Sequence, residues 1–117
     1  MIKIKKTNIY LTRGDSAYIT LEIENYVPTD DDVVRCQIRK CPSGGPVIVD
    51  EVAEKISEDP VRYIWCIRPE DTSWLFPDTY FWDAQIETPT AGGTDIFSFV
   101  PVSEFVVMDE VTEVDNG

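Results

Sequence analysis

Chemistry in a chain without histidine must rest on other side chains. This sequence has none among its 117 residues. That removes Ser-His-Asp and Cys-His nucleophilic catalysis and every histidine-based metal centre. The three cysteines, Cys36, Cys41 and Cys66, lack the paired spacing of a zinc site. No glycine-rich stretch forms a phosphate cradle. Carboxylates are plentiful, but none falls in a recognisable glycosidase setting, and a small β domain leaves little room for a deep cleft. The sequence therefore reads as non-enzymatic, with no cofactor. One acidic cluster, Asp30-Asp31-Asp32, has the oxygen ligands that calcium prefers, but it lacks the spacing of a calcium-binding loop. Three successive acids in a solvated turn are the plainer account.

Charge narrows the partners. There are 22 acidic and 10 basic residues, giving a formal net charge of −12. Such a surface repels phosphate backbones and anionic membranes, so nucleic acid and membrane are not expected partners. Basic protein surfaces are attracted. An odd number of cysteines is a poor disulfide framework. Cys36 and Cys66 both fall in apolar strand patterns, where free thiols serve as small core residues, although a Cys36–Cys66 bridge is the alternative. Free thiols imply folding in a reducing cytoplasm.

The elements that position these residues are strands. Ala17, Ile19, Leu21 and Ile23 alternate with Tyr18, Thr20, Glu22 and Glu24, the period of a half-buried strand. Val34, Cys36 and Ile38 repeat the pattern. So do Val61, Tyr63, Trp65 and Ile67, and then Trp82, Ala84 and Ile86. Residues 25–32 form a loop, and Pro42-Ser43-Gly44-Gly45-Pro46 is the strongest turn. Val47-Ile48-Val49 reads as a short strand, with residues 52–57 as a separate strand or edge. Residues 94–100 and 102–108 complete the β pattern, broken or bent at Pro101. Only Pro69-Glu70-Asp71-Thr72-Ser73-Trp74-Leu75 looks helical: proline leads, acids follow in the first turn, and apolar residues come next.

With no helix long enough for a crossover, the sheet should be antiparallel. The expectation is an all-β, immunoglobulin-like β-sandwich of seven to eight strands, with one short helical turn near residues 69–75. Residues 1–108 form its single domain and 109–117 an acidic, flexible tail. Arg13-Gly14-Asp15 reads as a tight turn from an edge strand into the first core strand. Asp71 and Thr72 can close the helical turn. Tyr80, after Pro77-Asp78-Thr79, fits the position from which a tyrosine bonds back to the upstream backbone at a sandwich corner; the alternative is an ordinary strand aromatic. Trp74 and Phe76 are candidate contact residues, with Trp74 as a plug of the core the equal alternative. Asp83 either holds a cross-strand partner or sits at an interface.

Two segments together resemble a known family. Ile9-Tyr10-Leu11-Thr12-Arg13-Gly14-Asp15-Ser16-Ala17 resembles the opening of phage and prophage tail-associated sandwich domains, of the baseplate upper protein and phage structural protein type. About 55 residues on, Ile67-Arg68-Pro69-Glu70-Asp71-Thr72-Ser73-Trp74-Leu75, followed by Tyr80-Phe81-Trp82-Asp83-Ala84-Gln85-Ile86, resembles their second block. The family usually has a glycine before the tyrosine-rich strand, where this chain has Asp78-Thr79. The resemblance implies a virion structural or adaptor protein, tail- or baseplate-associated, whose partners are other virion proteins and copies of itself in a symmetric assembly. A carbohydrate- or receptor-binding virion module is the alternative, since exposed Trp and Tyr suit sugar stacking. An acidic inhibitor mimicking DNA ranks lower, because the acids are interspersed with Lys3, Lys5, Lys6, Arg35, Arg39 and Lys40.

Overall fold

The computed structural model describes the backbone of residues 2–5 and residues 7–109 in full. Apart from Asp109, the acidic tail lies outside the described residues. Eight strands occur among them: β1 Ile2–Lys5, β2 Asn8–Thr12, β3 Ala17–Ile23, β4 Val33–Cys41, β5 Gly44–Glu58, β6 Val61–Ile67, β7 Asp78–Thr90 and β8 Gly93–Met108. The short helix α1, Pro69–Thr72, lies between β6 and β7.

All eight strands belong to one hydrogen-bonded sheet, in the order β1-β2-β8-β7-β4-β5-β6-β3. The sheet curls nearly into a barrel around a single core. Trp65 of β6 packs on Trp82 of β7 and Phe105 of β8, with ring centroids 5.4 and 6.3 Å apart. Strands far apart in the pairing order thus meet through their side chains. Every residue assigned above to an inward face is buried, from Ala17 to Ile23, Val34 to Ile38, Val61 to Ile67 and Trp82 to Ile86. Alternation sets the facing because a one-residue slip would turn the whole apolar set to water. The buried indole of Trp82 also donates to the Thr7 carbonyl at 2.8 Å, which satisfies its N–H.

The fold departs from the sequence reading in several places. Most pairs are antiparallel, but β2 and β8 run parallel. A parallel pair needs a long connection, and here almost the entire domain is that connection. The strand entering the Arg13-Gly14-Asp15 turn is not an edge, because β2 lies between β1 and β8. Residues 47–49 and 52–57 are not separate strands. β5 runs unbroken from Gly44 to Glu58, pairing with β4 through its first part and with β6 through its last. One long strand therefore turns the sheet over, and the reversal before it shrinks to Pro42-Ser43. β8 is likewise continuous. Ser103 pairs with Trp82 and Val100 with Ala84, so Pro101 and Val102 oppose a single residue of β7. That bulge accommodates a proline that has no N–H for the ladder. α1 is shorter than the span 69–75, and Leu75 N–H closes one further turn onto the Thr72 carbonyl at 2.9 Å.

All three cysteines carry free thiols. Cys36 lies in the core, where burial first, then the charges of Glu51 and Asp83, push its thiol up to about 12. Cys66 falls between buried Trp65 and Ile67, on the opposite face of β6 from the core. The two thiols point to opposite sides of the sheet, which overturns the alternative of a Cys36–Cys66 bridge.

Candidate functional site

The residues singled out from sequence converge at one corner, where the β2–β3 turn meets α1. Gly14 takes φ +84°, a left-handed conformation suited to glycine. The turn is closed by Asp15 N–H on the Thr12 carbonyl at 3.0 Å, and Arg13 N–H reaches the Met108 carbonyl of β8 at 2.8 Å. Its outward geometry leaves the Gly14 N–H to be satisfied from elsewhere. Thr72 does so: its Oγ1 accepts from Gly14 N at 3.0 Å, and the threonine itself is fully buried. With the pairing of Ala17 and Ile67 across β3 and β6, this bond joins the two separated segments that carry the family resemblance.

α1 is held at its N-terminal end by a reciprocal pair of bonds. The Asp71 carboxylate accepts from the Arg68 N–H at 2.8 Å, while Asp71 N–H donates to the Arg68 carbonyl at 2.9 Å. Charge and hydrogen bonding therefore oppose fraying of a helix too short to be stable alone. After α1, Leu75 turns into the core and its neighbours turn out. Trp74 is 61% exposed and Phe76 81% exposed. Trp74 is therefore not a core plug, because Leu75 takes that role. Tyr80 is buried and its hydroxyl donates to the Phe76 carbonyl at 2.9 Å, fixing the backbone that presents Phe76. Lys40 lies 4.8 Å from the centre of the Tyr80 ring and pairs with Asp78, whose other oxygen accepts from Thr79 N–H. The hydrogen bond from Lys40 holds the Asp78 carboxyl below its usual range.

Sequence reasoning missed Glu51. It faces inward on β5, in phase with buried Val49 and Ala53. Its carboxylate accepts from the Trp65 indole at 2.8 Å. Burial, followed by the neighbouring Asp71 carboxyl, pushes Glu51 up to about 7. Two carboxyls thus meet where α1 rests on β5. The signal was present in the spacing: Val49, Glu51 and Ala53 share one strand parity, so an acid there must face the interior.

The other candidates are not at this corner. Asp83 is on β7 opposite Gln37 of β4, half-buried, and no hydrogen bond joins it to the corner among the described residues. Asp32 is turned into its own loop. Its two oxygens accept from Thr29 N–H, the Thr29 hydroxyl, the Tyr26 hydroxyl and the Thr88 hydroxyl, at 2.6 to 3.0 Å. Burial opposes its ionisation, but those bonds together hold its carboxyl below the usual range. Protein donors thus occupy the oxygens that a cation would need. Among the described residues, no group of three or more Cys, Asp or Glu is arranged to hold a metal ion.

The corner's nucleophiles, Thr72 and Tyr80, are buried and committed to backbone bonds. Its two exposed aromatics sit on backbone fixed from both sides. No family model matches the chain, and no match was found among curated proteins.

Proposed function

We propose that this protein is a non-enzymatic structural or adaptor module of a phage or prophage virion, associated with the tail or baseplate, and that it works through protein–protein contacts made by the corner. The observation that carries this reading is the bond from Gly14 N–H to Thr72 Oγ1, with Trp74 and Phe76 displayed beside it. It supports the resemblance because the two motif segments form one structural unit rather than two coincidental matches. Rigid exposed aromatics bind at low entropic cost, and residues of this kind dominate interface energetics.

The finer fold reading belongs here as well. The order of β2, β8, β7, β4 and the first part of β5, followed by the rest of β5 with β6 and β3, fits an immunoglobulin-like arrangement of two layers. The tyrosine bonding back to the upstream backbone fits the same arrangement.

The test is composition and assembly of particles. The gene should lie beside tail, portal or capsid genes, and the protein should be found by mass spectrometry in purified virions. A Trp74→Ala/Phe76→Ala variant should fold and yet be lost from particles. Normal incorporation of that variant would reject the corner as the contact, and absence of the wild type from particles would reject the virion reading. Exposure of Trp74 also favours a second reading, a carbohydrate- or receptor-binding module, since a solvent-facing indole can stack on a sugar ring. Binding on a glycan array that Trp74→Ala abolishes would select it.

A further inference from the structure

The two ends of the curled sheet differ in chemistry. β3 closes one end, and among the described residues only β6 pairs with it. Its seven residues, Ala-Tyr-Ile-Thr-Leu-Glu-Ile, include no proline, pair with β6 without a bulge and point no charge inward. Of the devices that blunt an edge strand, β3 lacks proline, a bulge and an inward charge, and carries a single outward acid, Glu22. Beside this edge is a hollow of about 260 Å3, apolar at Ile19, Leu21, Phe99 and Val100 and polar at Thr20 and Glu22. At the end of β3 a second open hollow, about 640 Å3, has Glu22, Glu24, Glu58 and Asp59 on its walls. Glu22 pairs with Arg62 and Glu58 with Lys55, while Glu24 and Asp59 make no ion pair among the described residues. An occupant suited to both hollows is an extended segment, alternately apolar and basic.

The chain contains such a segment. Ile2-Lys3-Ile4-Lys5 is the strand β1, and with Lys6 the first six residues hold three lysines and no acid. β1 closes the other end of the sheet and, among the described residues, pairs only with β2. We propose that β1 of a second copy adds to the open edge of β3, joining copies head to tail through one continuous sheet. β1 keeps its own β2 partner, so no refolding is needed. Backbone hydrogen bonds along β3 would supply affinity, and lysines set against Glu22 and Glu24 would supply register and selectivity. Because the two surfaces differ, the contact is heterologous, and copies continue into a ring or a filament rather than stopping at a two-fold pair. The inference rests on the sheet edges alone and is separate from the role of the corner.

Light scattering on the full chain at neutral pH and low salt tests it, at concentrations from about 10 μM to 1 mM. The mass should rise above the 13.3 kDa monomer and fall back in about 0.5 M salt, where screening shortens the reach of charge. Lys3→Glu/Lys5→Glu and Glu22→Lys/Glu24→Lys should each weaken association about tenfold or more. All four changes in one chain should restore it. Hydrogen exchange on the unaltered protein gives a readout that needs no variant: amides within Ala17–Ile23 should slow as concentration rises. A monomer at 1 mM, a species that stops at a dimer, an oligomer indifferent to both reversals, a folded four-change variant that fails to regain association, or association without slowing in β3 would each overturn the proposal.

Discussion

The side chains that matter most at the corner are those whose polar atoms have a single, buried use. Thr72 has one acceptor job, on a glycine N–H 58 residues away. Removing it strands that donor, which costs about 1–3 kcal/mol. Thr72→Ala should lower the urea midpoint accordingly, and Thr72→Ser should recover much of the loss. Tyr80→Phe removes only the bond to the Phe76 carbonyl and should cost about 1 kcal/mol, with Trp74 and Phe76 becoming more mobile by NMR relaxation. Glu51 has the opposite sign to an ordinary paired carboxylate. Burial and Asp71 raise it to about 7 in the folded protein. The folded state therefore holds a proton there that the unfolded chain has released. The resulting stabilisation is complete below the ordinary glutamate range near pH 4 and is lost as pH rises through about 7. Glu51→Gln keeps an acceptor for Trp65 without the charge. Its urea midpoint should change less than the wild type's between pH 5 and 8, and it should be the more stable protein at pH 8. A wild-type midpoint that rises over that interval relative to the variant would reject the assignment.

At the scale of elements, alternation told which residues face inward, because period two is a property of the backbone itself. It told less about where strands end. A turn-rich stretch at 42–46 and a polar pair at Asp50-Glu51 read as interruptions, yet β5 begins inside the first, at Gly44, and runs through the second. Its two halves pair with different neighbours, so its continuity is set by tertiary contacts that no local window contains. Pro101 was legible as a bend, but the bulge that keeps β8 whole depends on the register against Trp82 and Ala84. The parallel β2–β8 pair was illegible for a similar reason: it joins opposite ends of the domain. The corner was more readable, because glycine, the helix-opening proline and the capping acid are local signals. What those signals lacked was the bond between Gly14 and Thr72. The turn itself makes a separate prediction. At Gly14 a Cβ would meet no atom within 4 Å, so a substitution there acts only through the backbone angle. Gly14→Ala should cost roughly 1–2 kcal/mol, the penalty of the left-handed region for other residues, measured by thermal unfolding. A larger loss would mean that the substitution also displaces Thr72.

Across the whole molecule, charge and topology pull against each other. The described ion pairs, such as Arg35 with Glu87 and Asp50, and Arg62 with Glu22, lie on the surface. Such pairs contribute about 0–1 kcal/mol each and weaken in salt. The net charge of −12, in contrast, sets like charges against each other over the whole surface, and compaction makes that repulsion worse. The two effects respond to salt with opposite sign, so one titration decides which is larger. Twenty-two acids against ten bases leave most carboxylates without a cationic partner, so the repulsive contribution should prevail. The melting temperature should rise between about 10 mM and 150 mM sodium chloride, where the Debye length shortens from about 30 to 8 Å. The transition should remain a single one, since β2 and β8 tie the two ends of the domain into one core and neither half of the sheet can open alone. A melting temperature that falls with salt would show that the ladder of pairs across β7, β4 and β5 outweighs the net charge. Two resolved transitions would instead show that β5 acts as a hinge between two independently stable parts of the sheet.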